Sequence, residues 1–160
     1  MTKKIWITGA SSGIGKALAI KFAKEGWQVA ASARRENLLK NLSNQNPNIH
    51  SFPLDVKNEA EAKNIFQNII KKFEAVDIAV FCTGIHDPDS EKKLSSEKIR
   101  EIMETNFFGT LNCIMAVNNF FNSSSFLPIK WQSFFSSYSF SAKLEPIAPV
   151  APKIRYFSFI

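Results

Sequence analysis

A glycine-rich segment near the amino terminus constrains the fold of this chain more than any other part of its sequence. The segment lies between a short apolar run, Ile5-Trp6-Ile7, and a stretch with helical spacing of apolar residues that begins at Ile14. An apolar run rich in β-branched residues and ended by glycines is typical of a buried strand. A glycine loop between a strand and a helix is typical of phosphate-binding βα units.

The glycines and serines of this loop are suited to hold a pyrophosphate. Glycine lets the backbone turn tightly and approach a ligand closely. The amino terminus of the following helix offers unpaired N–H groups and the positive end of its dipole. The candidate cofactor-binding residues of the loop are Gly9, Ser11, Ser12, Gly13, Ile14 and Gly15. The alternative interpretation is a tight turn that binds no ligand.

The first 121 residues alternate between strand and helix patterns. Strands are predicted at 5–7, 29–31, 49–54 and 77–82, and helices at 14–24, 36–42, 59–73 and 95–121, the last bent near Asn106 and Gly109. Strands separated by helices pair in parallel with right-handed crossovers. The sequence therefore predicts an α/β fold with a Rossmann-type doubly wound parallel sheet, incomplete at the C-terminus. Ligands of such folds bind outside the carboxyl ends of the strands.

Apolar periodicity also predicts which helix faces point inward. The inner face of helix 14–24 is predicted to carry Ile14, Ala17, Leu18 and Phe22. The inner face of helix 59–73 is predicted to carry Ala62, Ile65, Phe66, Ile69 and Phe73.

The character of the sequence changes after residue 121. Residues 122–160 contain four prolines, one acidic residue and no glycine. Three of the prolines, at 146, 149 and 152, exclude an undistorted helix in that stretch. A fifth strand is a candidate only at 131–135. We therefore divide the chain into an NAD(P)-binding Rossmann domain at 1–121 and an atypical tail at 122–160, and the abrupt change suggests a truncated or frameshifted reading frame.

Charge and composition argue against several other classes of protein. The formal net charge is +6, but the basic residues form scattered pairs that do not interleave with aromatic residues, so we expect no nucleic-acid partner. The longest apolar stretch, around 107–121, is too short and too polar to span a bilayer, so we expect a cytoplasmic protein without a membrane partner. Cys82 and Cys113 lack metal-ligand spacing, so we expect reduced thiols and no metal site.

The end of the second predicted strand bears on the choice of dinucleotide. NAD-binding sheets place a carboxylate there to hold the ribose 2′-OH. The stretch here reads Ala31-Ser32-Ala33-Arg34-Arg35 and has no acidic residue. A guanidinium can bind a 2′-phosphate in a bidentate manner, whereas a carboxylate would repel it. The sequence therefore favours NADP over NAD, with Arg34 preferred to Arg35 as the phosphate contact, unless both are ordinary surface charges.

The spacing Gly-x-x-x-Gly-x-Gly in Thr8–Gly15 resembles the glycine motif of the short-chain dehydrogenase/reductase family. Further matches at the family's spacing are Asp55-Val56, the segment 77–84 that ends in Thr83-Gly84, and Asn106 in Glu104-Thr-Asn-Phe-Phe-Gly109. The resemblance implies that Asp55 and Val56 contact the adenine, that Thr83 and Gly84 lie at the cofactor, and that Asn106 supports a proton relay. It also implies hydride transfer between NADP(H) and a small carbonyl or alcohol substrate.

The family's catalytic tyrosine and lysine, spaced Tyr-x-x-x-Lys, have no direct counterpart in this sequence. One partial match pairs Tyr138 with Lys143, but the two are five residues apart, which on a helix turns the lysine off the tyrosine's face. The family also has a catalytic serine upstream of this pair. In a second register, Ser136 and Lys153 match the family's serine and lysine in spacing, and Pro149 takes the tyrosine position. Each of these residues has the alternative interpretation of an uninvolved tail residue.

Three hypotheses about function remain open at this point. The first is an NADP-dependent short-chain oxidoreductase whose activity in this chain is doubtful. The second is a non-catalytic NADP-binding module, a sensor or partner subunit, and the third is the product of a damaged gene. Association between copies is also left open, because the helix pair that commonly forms dimers in the family is incomplete here.

Overall fold

The computed structural model describes residues 2–86, 95–123 and 155–158. Strands and helices alternate along most of this range, as predicted. The strands are β1 (Lys4–Thr8), β2 (Gln28–Ser32), β3 (Ile49–Ser51), β4 (Ile78–Phe81) and β5 (Arg155–Ser158). The helices are α1 (Gly13–Lys24), α2 (Glu36–Gln45), α3 (Glu59–Phe73), α4 (Ser96–Met103) and α5 (Gly109–Ser123), with a π-helical turn at Glu104–Phe108 between the last two.

The described strands form one parallel five-stranded sheet in the order β3-β2-β1-β4-β5. This order confirms the doubly wound α/β prediction, and the strand order reverses between β1 and β4, where such sheets bind their ligands. The predicted strand at 131–135 lies outside the described residues. The strand at Arg155–Ser158, parallel to β4, was not predicted.

Two apolar clusters cover the two faces of the sheet. One contains buried residues of α3 and α5 and is centred on Trp6, whose ring lies 5.3 Å from that of Phe66 and 5.6 Å from that of Phe81, centroid to centroid. The other contains buried residues of α1 and α2 packed on β1, β2 and β4. The indole Nε1 of Trp6 donates to Ser32 Oγ at 3.0 Å, so this buried polar atom is satisfied.

The predicted inner face of α3 is confirmed, whereas that of α1 is wrong for Ile14 and Ala17. In α1 the buried residues are Gly15, Ala19 and Ala23, while Ile14 is 61% exposed. A Cβ atom at Gly15 would lie 2.5 Å from the carbonyl oxygen of Gly9, so the helix approaches the loop more closely than a larger residue would allow. Small side chains therefore face the sheet, and Leu18 and Phe22 are only partly buried at its margin.

The predicted bend near Asn106 is confirmed as the π-helical turn. Single π-helical turns within α-helices are frequent at functional sites. The hydroxyl of Thr110 donates to the carbonyl oxygen of Asn106 at 2.8 Å. The outer side of this region carries exposed apolar side chains: Phe107, Phe108, Leu111 and Met115. Association between copies through such a face stays a prediction.

The third strand is shorter than predicted and ends at Ser51. Pro53 has no N–H to donate to a ladder, and the chain continues as a loop hydrogen-bonded to the end of β2. In this loop the amides of Phe52 and Leu54 donate to the carbonyls of Ala31 and Ala33, at 2.9 and 3.1 Å. In the described part of the chain, no helix is long and apolar enough to cross a membrane.

Candidate dinucleotide site

The glycine loop packs directly against the loop after β4. Gly9 has a left-handed backbone with φ of +68°, and a Cβ atom there would lie 2.6 Å from the carbonyl oxygen of Cys82. Any side chain at Gly9 would therefore push apart the loops that follow β1 and β4. The two closely packed glycines of this loop, Gly9 and Gly15, account for the shape of the turn.

Gly13 differs from these two glycines because no described residue packs against it. Its φ is +54°, and an added Cβ atom would meet no atom within 4 Å. Gly13 is the first residue of α1, and Ser12 at the N-cap position makes no side-chain capping hydrogen bond. By contrast, Asn58 caps α3 and Ser95 caps α4. The amino terminus of α1 is therefore open and polar, as a bound pyrophosphate would require.

The guanidinium of Arg35 lies over the glycine loop. Its Nη2 donates to Ser11 Oγ at 2.9 Å and to Ser12 Oγ at 2.7 Å, and its Nε lies 3.2 Å from Ser11 Oγ. Arg34 is exposed, as is Arg35, but its side chain makes no such contact among the described residues. The structure therefore brings Arg35, rather than the sequence-preferred Arg34, to the predicted phosphate loop.

In the part of the chain that the structure describes, no carboxylate forms an ion pair with this guanidinium at the end of β2. Ser32 and Ala33 are buried, and the next acidic residue, Glu36, starts α2 and forms an ion pair with Lys40 at 2.9 Å. The positive charge of Arg35 is therefore left available for an anionic ligand at the glycine loop.

The loop after β3 places Asp55 and Val56 at the same edge of the sheet. Asp55 closes a local turn, since its Oδ1 accepts from the amide of Lys57 at 3.1 Å and its carbonyl accepts from the amide of Asn58 at 3.0 Å. Val56 is buried against Gly109, where a Cβ atom would lie 2.5 Å from Val56 Cγ2. The two residues predicted at the adenine thus differ in exposure, with only Asp55 partly open.

The loop after β4 contains Thr83 and Gly84, and the predicted relay residue Asn106 lies in the π-helical turn beside it. A Cβ atom at Gly84 would lie 3.5 Å from Asn106 Oδ1, so the π-helical turn packs closely on this loop.

Burial raises the pKa of the Cys82 thiol to about 11, so Cys82 is a neutral thiol at neutral pH. The hydroxyls of Thr8 and Thr83 are buried and have no hydrogen-bond partner within the described ranges.

The structure therefore gathers all the predicted cofactor residues along one edge of the sheet. The tentative catalytic residues, Ser136, Tyr138 and Lys143, lie outside the described residues, as do Pro149 and Lys153 of the second register. The cysteines are free thiols, as predicted. In the described part of the chain, no three His, Cys, Asp or Glu side chains cluster as metal ligands.

Sequence reasoning missed one polar residue that supports this edge. Asn112 reaches from α5 to the carbonyls of Val56 and Lys57. Its only signal in the sequence is an asparagine within an apolar helix, which would ordinarily be read as a solvent-facing position.

Comparison with known proteins agrees with this geometry. The sequence profile of the short chain dehydrogenase family matches residues 3–126. Farnesol dehydrogenase of Aedes aegypti is 36% identical over 113 residues, which cover 67% of this chain and 46% of that protein. Glucose 1-dehydrogenase of Gluconobacter oxydans is 32% identical over 114 residues, which cover 68% of this chain and 43% of that protein. The chain thus spans about half the length of the curated relatives it matches.

Solved structures with bound dinucleotides are also similar. The structure of ElxO with NADP bound superposes with a TM-score of 0.68 at 29% identity, covering 78% of this chain and 52% of that one. A 3-ketoacyl-(acyl-carrier-protein) reductase from Brucella melitensis, complexed with NADH, superposes with a TM-score of 0.69 at 25% identity, covering 76% of this chain and 50% of that one.

Proposed function

The chain belongs to the short-chain dehydrogenase family, and we propose that it binds NADP in preference to NAD at the carboxyl edge of its sheet. The observation that carries this proposal is the position of Arg35, whose guanidinium is held over the glycine loop by the hydroxyls of Ser11 and Ser12. A phosphate on the adenosine ribose would meet this guanidinium and the two serines together.

Electrostatics favours the phosphorylated dinucleotide. A guanidinium forms charge-assisted, bidentate hydrogen bonds with phosphate. Selection of NAD uses a carboxylate that accepts from the ribose 2′-OH. At the end of β2, where that carboxylate would lie, this chain has Arg34 and Arg35. The next acidic residue, Glu36, forms an ion pair with Lys40. The preference for NADP therefore follows from the charge that the site presents.

The pyrophosphate is assigned to the open start of α1. There the backbone of Gly13 leaves free space, and the N–H groups of Gly13, Ile14 and Gly15 lie at the positive end of the helix dipole. The bound cofactor would cover the exposed side chain of Ile14 and displace water from it. We assign the adenine to Asp55 and Val56, and the nicotinamide half to Thr83 and Gly84.

We propose that the reaction, where it occurs, is that of the family. The bound nicotinamide would supply the hydride donor or acceptor for a carbonyl or alcohol. Asn106 is held beside Gly84, and Ser136, Tyr138 and Lys143 are the proposed catalytic side chains. Relatives named for farnesol and for glucose differ widely in substrate, so we propose only the substrate class.

A second candidate function is an NADP-binding module without turnover. It is favoured by one observation, the absence of a Tyr-x-x-x-Lys pair from all 160 residues. The residues four positions after the two tyrosines, Tyr138 and Tyr156, are Ala142 and Ile160. Neither position holds the lysine that the family's Tyr-x-x-x-Lys pattern requires.

Fluorescence titration of the purified chain with NADPH and with NADH tests the binding proposal. We expect NADPH to bind more tightly, and equal affinity for the two would contradict the proposal. Assay of generic ketones and alcohols with the bound cofactor then separates the two candidate functions. Binding without turnover supports the module, whereas a robust rate that is lost in Tyr138→Phe supports the enzyme.

A further inference from the structure

Asn112 connects helix α5 to the loop that follows β3. Its side-chain Nδ2 donates to the carbonyl oxygen of Val56 at 2.9 Å and to that of Lys57 at 3.3 Å. The two partners are separated from Asn112 by more than fifty residues of sequence, so the contact is tertiary rather than local. A single side chain thus bonds two consecutive carbonyls of one loop.

The helix also packs closely against the side chain of Val56 in this loop. Gly109 is buried one turn before Asn112, and a Cβ atom at Gly109 would lie 2.5 Å from Val56 Cγ2. Val56 is only 4% exposed. The close packing at Gly109 restrains how far the loop lies from α5, and the hydrogen bonds from Asn112 restrain the orientation of the loop.

The loop restrained in this way carries Asp55, which is assigned to the adenine. Among the described residues, Asp55 makes its own hydrogen bonds only within the turn, to the amides of Lys57 and Asn58. These local bonds shape the turn. The amide of Leu54 ties the start of the loop to the carbonyl of Ala33 at the end of β2, and Asn112 ties the turn itself to α5.

We propose that Asn112 is a positioning residue for the adenine half of the dinucleotide site. It acts through Val56 and Lys57 and does not touch the ligand. The inference rests on the proposed function, since it concerns how the same site is held in a binding-competent shape. The same helical region holds the loop after β4 through Asn106, so residues 106–112 support the cofactor edge on two sides.

The test uses adenosine 2′,5′-bisphosphate, which carries the adenine and the 2′-phosphate but no nicotinamide. In Asn112→Leu, which has similar size and no donors, we expect affinity for this probe to fall about tenfold, as for the loss of one or two hydrogen bonds. Asn112→Ala is a second variant, in which we also expect affinity for the probe to fall. The matched control is Ile114→Ala, on the same helix and packed on the core, which should lower the melting temperature but leave affinity within about twofold of the parent.

A spectroscopic readout on the unmutated chain complements the variants. We expect the side-chain amide resonance of Asn112 to shift when the probe binds, because the loop it bonds tightens around the adenine. The inference is overturned if Asn112→Leu and Asn112→Ala bind like the parent, if the control loses as much affinity as they do, or if the amide resonance does not move. Failure of the parent itself to bind the probe would overturn the proposed function and the inference with it.

Discussion

The side-chain amide of Asn106 pairs with both backbone groups of Ile85. Its Oδ1 accepts from the amide of Ile85 at 2.8 Å, and its Nδ2 donates to the carbonyl of Ile85 at 3.0 Å. This two-point contact joins the π-helical turn to the loop after β4, where the strand order of the sheet reverses. Asn106, which the family resemblance links to catalysis, therefore also holds the loop after β4 in place at the proposed cofactor site.

Replacing Asn106 by alanine should destabilise the protein by about 1–3 kcal/mol, because both backbone groups of Ile85 lose their partner. Urea denaturation followed by circular dichroism measures this loss. Asn64→Ala, at an exposed position of α3, is the control and should change stability by less than about 0.5 kcal/mol. Equal stability of the two variants would show that water replaces the amide of Asn106 without cost.

The two open left-handed glycines provide a matched test of the phosphate loop. Gly13 and Gly26 both have positive φ, +54° and +84°, and for neither does a described residue place an atom within 4 Å of an added Cβ. Gly13→Val and Gly26→Val should therefore suffer similar backbone strain and similar losses of stability. Only Gly13→Val should lose dinucleotide binding in calorimetry, since only Gly13 starts α1. If it binds as well as Gly26→Val does, the loop is only a turn.

Much of this architecture was predictable from the sequence because it depends on local patterns. Apolar spacing predicted α3 in full, and the glycines predicted the turn before α1. The inner face of α1 was not predictable in this way, since close packing on the Gly9 backbone selects small residues over large apolar ones. The direction of Arg35 and the reach of Asn112 depend on tertiary contacts with residues distant in sequence, which periodicity does not contain.

Protonation of His50 should make the protein less stable in acid. Burial, and secondarily the charge of Lys72, lower the pKa of His50 from its ordinary 6.5. The unfolded chain therefore binds more protons than the folded one between the lowered value and about 6.5, so stability rises with pH across that window and is lost as pH falls through it. Urea midpoints at pH 5 and 7.5 measure this difference.

His50→Gln should flatten this pH dependence, while retaining a side chain that can bond Gln28, the partner of the His50 ring at 2.8 Å. His86→Gln, at the other histidine, which is exposed, should leave the pH dependence as it is in the parent. A pH dependence that persists unchanged in His50→Gln would assign it to other groups.

Neither cysteine should be reactive in the folded protein. Burial raises the pKa of Cys82 to about 11 and that of Cys113 to about 12, so at pH 7.5 both are almost entirely neutral thiols. Reaction with a chromogenic disulfide should be slow in buffer and rapid for both thiols in urea. Cys82 should react before Cys113, because only Cys113 is fully buried. Rapid labelling of Cys113 in buffer would show that α5 opens readily.

The ratio of NADPH to NADH affinity in Arg35→Ala, set against Arg34→Ala and Lys21→Ala, tests the central claim most directly. Lys21 is exposed in the last turn of α1, far from the glycine loop along the helix, and controls for the lost charge. Losing a charge-assisted hydrogen bond costs about 1.5–3 kcal/mol, or about 10- to 150-fold in affinity. The account predicts that Arg35→Ala abolishes most of the preference for NADPH, that Arg34→Ala reduces it less, and that Lys21→Ala leaves it unchanged. A preference that survives intact in Arg35→Ala would contradict the assignment of the 2′-phosphate to the guanidinium held by Ser11 and Ser12.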